Sequence, residues 1–188
     1  GFSELIDLGR TAARRARVER WEPDGQVRTL TSFGVEGYGE QIGAAAFAPD
    51  GTTWLAEPAR NRLVRIAPNG SISDVRRGLP PSAAPFGVAA DDAGGVWFTD
   101  VADGLVGHAA ANGTIAVIGH GPIPESTPAD PAVASDSAGN FVVVWASRYQ
   151  DGAYYGVFGQ RYTSNGAPLG TEFQVNTYTT DDQKSPAV

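Results

Sequence analysis

Apolar and polar residues alternate in short runs along this chain, and the runs come in groups that repeat. Between Phe47 and Val75, three apolar runs are separated by turns containing Asp50-Gly51 and Asn69-Gly70. Alternation over so few residues, bounded by Asp-Gly or Asn-Gly, is typical of antiparallel strands joined by hairpins, because both residues of each pair tolerate positive φ. The pattern therefore predicts β-strands.

The group of strands recurs at a nearly constant spacing. The glycines that close its second turn are 45, 43 and 53 residues apart: Gly25, Gly70, Gly113 and Gly166. The first turn recurs at intervals of 44 and 45 residues: Gly51, Gly95 and Asn140. A period in the forties with four strands per unit is typical of propeller blades, which must stack because one blade cannot cover its own faces.

We therefore predict an all-β fold, a β-propeller of about four four-stranded blades that form a single domain over residues 1–188. Three blades are predicted at 42–75, 86–118 and 131–175. A fourth is assembled from both termini, residues 2–30 and 185–188, because Ser185-Pro-Ala-Val188 repeats the blade start Asp130-Pro-Ala-Val133. The alternatives are half of an eight-bladed dimeric ring and a fragment of a larger propeller.

The strands of each predicted blade differ in composition. The first strand is rich in small residues, as in Gly43-Ala-Ala-Ala-Phe47, which suits the crowded innermost strand around a propeller axis. The second strand is the most hydrophobic, as in Val96-Trp97-Phe98, which predicts burial on both faces.

Composition excludes several kinds of partner and site. The chain has no cysteine, so it has no disulfide and no cysteine-based metal site. Its net charge of −7 argues against general affinity for nucleic acid. No apolar run is long enough to cross a bilayer, so a membrane partner is not expected either.

Two stretches of the chain resemble different repeat families. Residues from about 16 to 120 resemble the virginiamycin B (streptogramin) lyase family and related NHL-type propellers. The matching motifs are Ala48-Pro-Asp-Gly51, Trp54-Leu-Ala-Glu57, Asn61-Arg-Leu-Val-Arg-Ile66 and Gly70-Ser-Ile72, with counterparts Gly95-Val-Trp-Phe-Thr-Asp100, Leu105-Val-Gly107 and Gly113-Thr-Ile115. From Asp130 onward the repeat resembles a longer one found in tandem in large exported bacterial proteins. The combination suggests a chimera, natural or engineered, and favours an exported, extracellular bacterial location.

The connections between strands predict where a site lies. The turns between strands A and B and between C and D are tight, whereas the B–C and D–A connections are longer and more varied, so we expect binding residues on the latter face. The candidates for binding are Glu57, Arg60, Asp100, Asp103, Arg148, Tyr149, Asp151, Tyr154 and Tyr155. His108, in contrast, is expected on an outer strand as a surface residue.

The resemblance implies one enzymatic hypothesis. Streptogramin lyases are metal-dependent eliminases that use a histidine and acidic residues, which implies His120 as the general base and carboxylates such as Glu125, Asp100 or Glu57 as groups that hold a divalent cation. Glu57 and Asp100 occupy the same repeat position and are candidate ligands for Mg²⁺ or Ca²⁺. The competing interpretation is that these two acids bond to backbone amides or arginine at the ends of their strands.

The second hypothesis is a non-enzymatic scaffold or binding module with no cofactor. Tyr149, Tyr154, Tyr155 and Phe158 are able to stack on a sugar ring, so a glycan or another small molecule is the expected partner. The molecule itself is expected to be a monomer or a homodimer that completes a ring. The sequence leaves the module and the lyase as open alternatives, with the module preferred.

Overall fold

The computed structural model describes residues 6–7, 15–21, 24–34, 43–120, 129–152, 154–178, 180–184, 186 and 188. Within these residues the chain forms fifteen β-strands and a single turn of 3-10 helix. No helix in the described part of the chain is long and apolar enough to span a membrane.

Blade 1 is a four-stranded antiparallel sheet whose strands follow one another in chain order. Its strands are β4 (Ala45–Phe47), β5 (Thr53–Glu57), β6 (Arg62–Ile66) and β7 (Ile72–Val75). The 3-10 turn Pro58–Arg60 connects β5 to β6 and ends at Asn61, which adopts a left-handed conformation with φ of 49°.

Blade 2 repeats this arrangement. Its strands are β8 (Pro85–Ala90), β9 (Val96–Asp100), β10 (Leu105–Ala109) and β11 (Ile115–His120). They pair antiparallel in chain order, as in blade 1.

Blade 3 has the longest strands. They are β12 (Ala129–Ser135), β13 (Phe141–Arg148), β14 (Tyr155–Tyr162) and β15 (Pro168–Gln174), again antiparallel in chain order. Pairing of β13 with β14 extends to Arg148 and Tyr155, so the hairpin between them begins directly at those residues.

A three-stranded sheet precedes the blades. It contains β1 (Ile6–Asp7), β2 (Arg15–Trp21) and β3 (Val27–Gly34), all antiparallel. Ser185 and Ala187 lie outside the described residues, so completion of this sheet by the C-terminus stays a prediction. The all-β fold of four-stranded blades is confirmed.

The hydrophobic core lies between blades, because the second strand of each blade is buried on both faces. Trp54 of blade 1 is fully buried in a cluster that includes Val96 and Phe98 of blade 2. Trp97 of blade 2 packs in turn with Phe141 and other residues of blade 3. Burial of a large apolar side chain contributes about 1.5–3 kcal/mol, so these contacts hold neighbouring blades together.

Glycine allows the first strands of adjacent blades to approach closely. A Cβ at Gly43 would lie 2.5 Å from the carbonyl oxygen of Phe86, and one at Gly87 would lie 2.5 Å from that of Pro131. The two positions are adjacent in the repeat, because the pairs Ala45↔Leu55 and Val88↔Phe98 make Gly87 the counterpart of Ala44. The small residues that characterise these strands are therefore required by the narrow spacing between blades.

Candidate functional site

Four predicted binding residues meet at the hairpin between β13 and β14. The guanidinium carbon of Arg148 lies over three tyrosine rings, at 5.1 Å from the centroid of Tyr149, 4.5 Å from Tyr154 and 5.7 Å from Tyr155. We call these four residues the aromatic cluster. A cation over an aromatic face is attracted by the ring quadrupole, so Arg148 holds the rings around itself.

Two rings of the aromatic cluster are open to solvent. Tyr149 is 59% exposed and Tyr154 is 51% exposed, and the two rings meet edge to face with centroids 5.1 Å apart. Tyr149 has a φ of 63°, a left-handed conformation that is uncommon for an aromatic residue. Its backbone N–H donates to the carbonyl of Tyr154 at 3.1 Å, which fixes the hairpin in this conformation.

The tyrosine hydroxyls are connected by hydrogen bonds that shift their acidity. Tyr154 accepts from the Tyr149 hydroxyl and from Arg148, and both interactions lower the pKa of Tyr154. The hydrogen bond that Tyr149 donates raises the pKa of Tyr149, because ionisation would break it. Two adjacent phenols therefore differ in acidity, with Tyr154 the more acidic.

The segment after β15 adds two charged residues to the aromatic cluster. The Lys184 ammonium lies 4.4 Å from the ring centroid of Tyr155 and 2.7 Å from a carboxylate oxygen of Asp182, which raises the pKa of Lys184. The backbone N–H of Gln183 donates to the Tyr155 carbonyl at 3.0 Å, so the segment is fixed against the hairpin. Sequence reasoning missed these residues, although their place in a D–A connection on the predicted face was a signal.

Polar side chains border the aromatic cluster on the side of β15. Gln174 donates to a carboxylate oxygen of Asp151 at 3.2 Å, and Gln150 donates to Glu172. Carboxylate and amide groups thus stand beside the exposed rings. Phe158, in contrast, is buried in the core between blades 2 and 3 and is not part of the exposed surface.

Glu57 is occupied by an arginine of its own blade. Its carboxylate accepts from Nε of Arg62 at 2.6 Å, and both side chains are largely buried. Arg62 also donates to Asp74 at 2.6 Å. Burial alone would lower the pKa of Arg62, but the two carboxylates outweigh burial and raise it. Arg60, half-buried, lies nearby at the end of the 3-10 turn.

Asp100 holds the end of β9 in place. One of its carboxylate oxygens accepts from the backbone N–H groups of Ala84, Ala102 and Asp103, at 3.0, 2.9 and 3.2 Å. The other oxygen is buried and lacks a hydrogen-bond partner among the described residues. Asp103 itself accepts from the Ser82 hydroxyl. The Asp100 carboxylate therefore organises the B–C connection of blade 2, whereas the Asp103 carboxylate joins that connection to Ser82, which precedes β8.

The described residues do not form a cluster of metal ligands. Among them, no group of three or more histidine, cysteine or acidic side chains is close enough to share an ion. The Glu57 carboxylate binds Arg62 of its own blade, and one oxygen of the Asp100 carboxylate accepts from backbone N–H groups of its own blade. A role for either in binding Mg²⁺ or Ca²⁺ stays a prediction that this geometry does not favour.

Of the two residues in the catalytic hypothesis, the structure describes only His120, and of His120 only the backbone. His120 is the last residue of β11, where its backbone lies opposite Leu105, and Glu125 lies outside the described residues. The structure thus brings the aromatic residues of the binding hypothesis together, and leaves the histidine and the glutamate of the catalytic hypothesis as predictions.

Comparison with known proteins agrees with the blade architecture. The chain is 36% identical over 94 residues to a virginiamycin B lyase of Nocardia farcinica, a match that covers 50% of this chain and 30% of that protein. No protein-family model matches the chain.

Solved structures of low identity share the fold. Virginiamycin B lyase from Staphylococcus aureus aligns with a TM-score of 0.63 and 19% identity, covering 94% of this chain and 60% of that one. A chain of a nidogen/laminin complex aligns with a TM-score of 0.55 and 17% identity, covering 93% of this chain and 61% of that one. This chain therefore spans less than two thirds of each relative. The chain is therefore a β-propeller by its fold, and over half of its length it is similar in sequence to a virginiamycin B lyase.

Proposed function

We propose that this propeller is a non-enzymatic binding module, and that the aromatic cluster binds a carbohydrate through the exposed faces of Tyr149 and Tyr154. The observation that carries the proposal is the placement of two tyrosine rings, each more than half exposed, around one arginine. The fold alone would not distinguish a module from an enzyme, because propellers serve both roles.

The arrangement of the rings supports binding rather than packing. Inter-blade aromatic residues such as Trp54 and Trp145 are fully buried, whereas Tyr149 and Tyr154 contribute little to a core. Arg148 and the left-handed backbone of Tyr149 nevertheless hold them in one orientation. Residues kept in an unfavourable conformation cluster at functional sites, and fixed rings lose little conformational entropy when a ligand binds.

The polar groups around the rings fit a carbohydrate. A sugar presents apolar C–H faces and hydroxyl groups at its edges. Tyr149 and Tyr154 offer faces for the former, while Gln150, Asp151 and Glu172 carry hydrogen-bonding groups for the latter. Tyrosine supplies a large and rigid contact surface with a polar tip, which suits such a ligand.

A glycan array with three proteins tests this proposal. We expect the wild type to bind a defined set of glycans and the double variant Tyr149→Ala, Tyr154→Ala to lose at least tenfold in affinity for them. Ile72→Ala is the control, because Ile72 is a large apolar side chain that is 49% exposed and lies on β7 of blade 1, outside the aromatic cluster. Binding that survives in the double variant, or an array without any ligand, would refute the proposal.

A second function is favoured by one observation, the 36% identity to a virginiamycin B lyase. In that case the chain would be a metal-dependent lyase that opens the ring of a streptogramin B by elimination, with His120 as the general base. Incubation of the chain with a streptogramin B and Mg²⁺, followed by mass spectrometry, tests it. Turnover that is lost in His120→Ala would establish the lyase, and absence of turnover would leave the binding module.

A further inference from the structure

Arg148 brings a positive charge to the aromatic cluster without a carboxylate to pair with it. Its guanidinium is exposed, lies over the rings of Tyr149 and Tyr154, and donates to the Tyr154 hydroxyl. Among the described residues, no aspartate or glutamate forms an ion pair with Arg148. A guanidinium has five N–H donors in a planar fork, so Arg148 keeps donors for a ligand.

Lys184 places a second cation beside the same group of rings. Its ammonium lies 4.4 Å from the ring centroid of Tyr155, and the guanidinium carbon of Arg148 lies 5.7 Å from that centroid. The hydrogen bond to Asp182 raises the pKa of Lys184, whereas the charge of Arg148 acts in the opposite direction. Within the described part of the chain, two neighbouring cations thus share one paired carboxylate. A further anion would relieve the repulsion between them.

The nearby Asp151 carboxylate lies on the other face of the sheet. A Cβ at Gly156 would collide with an oxygen of Asp151, so this carboxylate lies on the face toward which Gly156 points. Tyr155 precedes Gly156 in β14 and points the other way, because side chains alternate along a strand. Arg148 pairs with Tyr155 across β13 and β14, and side chains paired in this way share a face. We call it the Tyr155 face.

Glu172 also lies away from the Tyr155 face. Gln174 pairs with Phe158, which is two residues from Gly156 and shares its face. Glu172 is two residues from Gln174 in β15 and points the same way. The end of the sheet therefore carries carboxylates on one face and two cations on the other. A ligand on the exposed rings can direct hydroxyl groups toward the former and an anionic group toward the latter.

We propose that the carbohydrate bound at the aromatic cluster carries a carboxylate, as a uronic acid or a sialic acid does, and that Arg148 and Lys184 bind this group. The inference rests on the proposed function and narrows its class of ligand. The sugar ring lies on Tyr149 and Tyr154, and its carboxylate extends to the Tyr155 face. A planar carboxylate accepts two parallel hydrogen bonds from a guanidinium, and such charge-assisted bonds are about twice as strong as neutral ones.

Matched ligands isolate the contribution of the carboxylate. One arm of an array carries oligosaccharides of galacturonic and glucuronic acid, a second arm carries sialyllactose, and each acid stands beside its methyl ester, which keeps the sugar and removes the charge. We expect an acid to bind at least tenfold more tightly than its ester, and the arm that shows this preference identifies the class of acid. Equal binding of acids and esters, or binding of neutral glycans alone, would overturn the inference and leave the binding module standing. An array without any bound glycan would refute both.

Sodium chloride provides a second readout of the charge. Ion pairs at an exposed site are screened by salt, so the affinity for the preferred acid should fall as the salt concentration rises. The affinity for its methyl ester should change little. Isothermal titration calorimetry at low and high salt measures both, and an affinity for the acid that is independent of salt would contradict binding through Arg148 and Lys184.

Three variants assign the preference to the two cations. The readout is the ratio of the affinities for the acid and for its ester, because a variant that only disturbs the rings lowers both affinities and leaves their ratio unchanged. We expect Arg148→Gln and Lys184→Gln each to reduce this ratio at least threefold. Arg161→Gln is the matched control, since Arg161 is also exposed and lies 5.0 Å from the ring centroid of Phe173, at the opposite end of β14. A ratio that is unchanged in both cluster variants, or equally reduced in Arg161→Gln, would overturn the proposal.

Discussion

Tyr162 carries a buried hydroxyl at the centre of the core between blades 2 and 3. The ring stacks on Phe141 with centroids 4.8 Å apart, and the hydroxyl oxygen has no hydrogen-bond partner among the described residues. Burial raises the pKa of Tyr162 to about 12, with a further contribution from the charge of Glu172. Stacking of the Tyr162 ring therefore stabilises the core, whereas burial of its unpaired hydroxyl destabilises the folded state.

Tyr162→Phe is expected to raise the free energy of unfolding by about 1 kcal/mol, because it keeps the stacking and removes an unpaired polar group. The pKa is higher in the folded state, so the wild type keeps its full stability below about pH 10 and loses part of it as the pH rises toward 12. The variant should lose less over that range. Urea unfolding at pH 8 and pH 11 measures both effects, and a destabilised variant would contradict the account.

Gly87 occupies a position where the neighbouring strand leaves no room for a side chain. A Cβ there would lie 2.5 Å from the carbonyl oxygen of Pro131 and 2.9 Å from the hydroxyl of Thr99. We expect Gly87→Ala to destabilise the protein by about 1–3 kcal/mol, the usual cost of overpacking. Thermal unfolding followed by circular dichroism checks this, and an unchanged midpoint would show that the blades are not so closely spaced.

At the scale of elements, acidic residues hold the ends of the second strands of blades 1 and 2. Asp100 accepts three backbone N–H bonds at the end of β9. Asp100→Ala would leave these donors buried or force the connection to rearrange, so we expect a loss of about 3 kcal/mol in stability. Asp103→Ala is the control, because Asp103 accepts from the hydroxyl of Ser82 at the surface, and we expect little change.

The same comparison tests the predicted metal role. A cation bound at Asp100 would raise the melting temperature of the wild type as its concentration rises. We expect millimolar Mg²⁺ or Ca²⁺ to leave that temperature unchanged. A rise that disappears in the variant Asp100→Asn would instead establish Asp100 as a metal ligand.

The sequence was most informative about elements and least informative about sites. Turn pairs such as Asn69-Gly70 and the apolar second strands are local signals, and they predicted the blades. All four residues of the aromatic cluster were predicted as binding residues, but the contact of Lys184 with Tyr155 was not, because the two residues are 29 positions apart and nothing local relates them. His108, expected on the surface, is only 25% exposed and lies 2.6 Å from Asp91. Its place becomes visible only when the turns of blades 1 and 2 are aligned.

At the scale of the whole molecule, blades 1 and 2 and blades 2 and 3 stack through shared cores, and a three-stranded sheet precedes them in the chain. Completion of the first sheet by the C-terminus predicts a closed ring within one chain. Light scattering during gel filtration should then give a monomer near 19.6 kDa. A clean dimer would favour the eight-bladed ring, and a mixture of larger species would indicate unpaired strand edges.

Hydrogen exchange measured with and without the strongest glycan from the array tests whether the aromatic cluster is the ligand site. We expect slower exchange in peptides that cover residues 147–156 and 176–184, which carry the aromatic cluster and the segment fixed against it. Peptides that cover the connections at 57–62 and 100–105 should be unaffected. Protection at those connections, with none at 147–156, would contradict the account and place the ligand among the acidic strand ends instead.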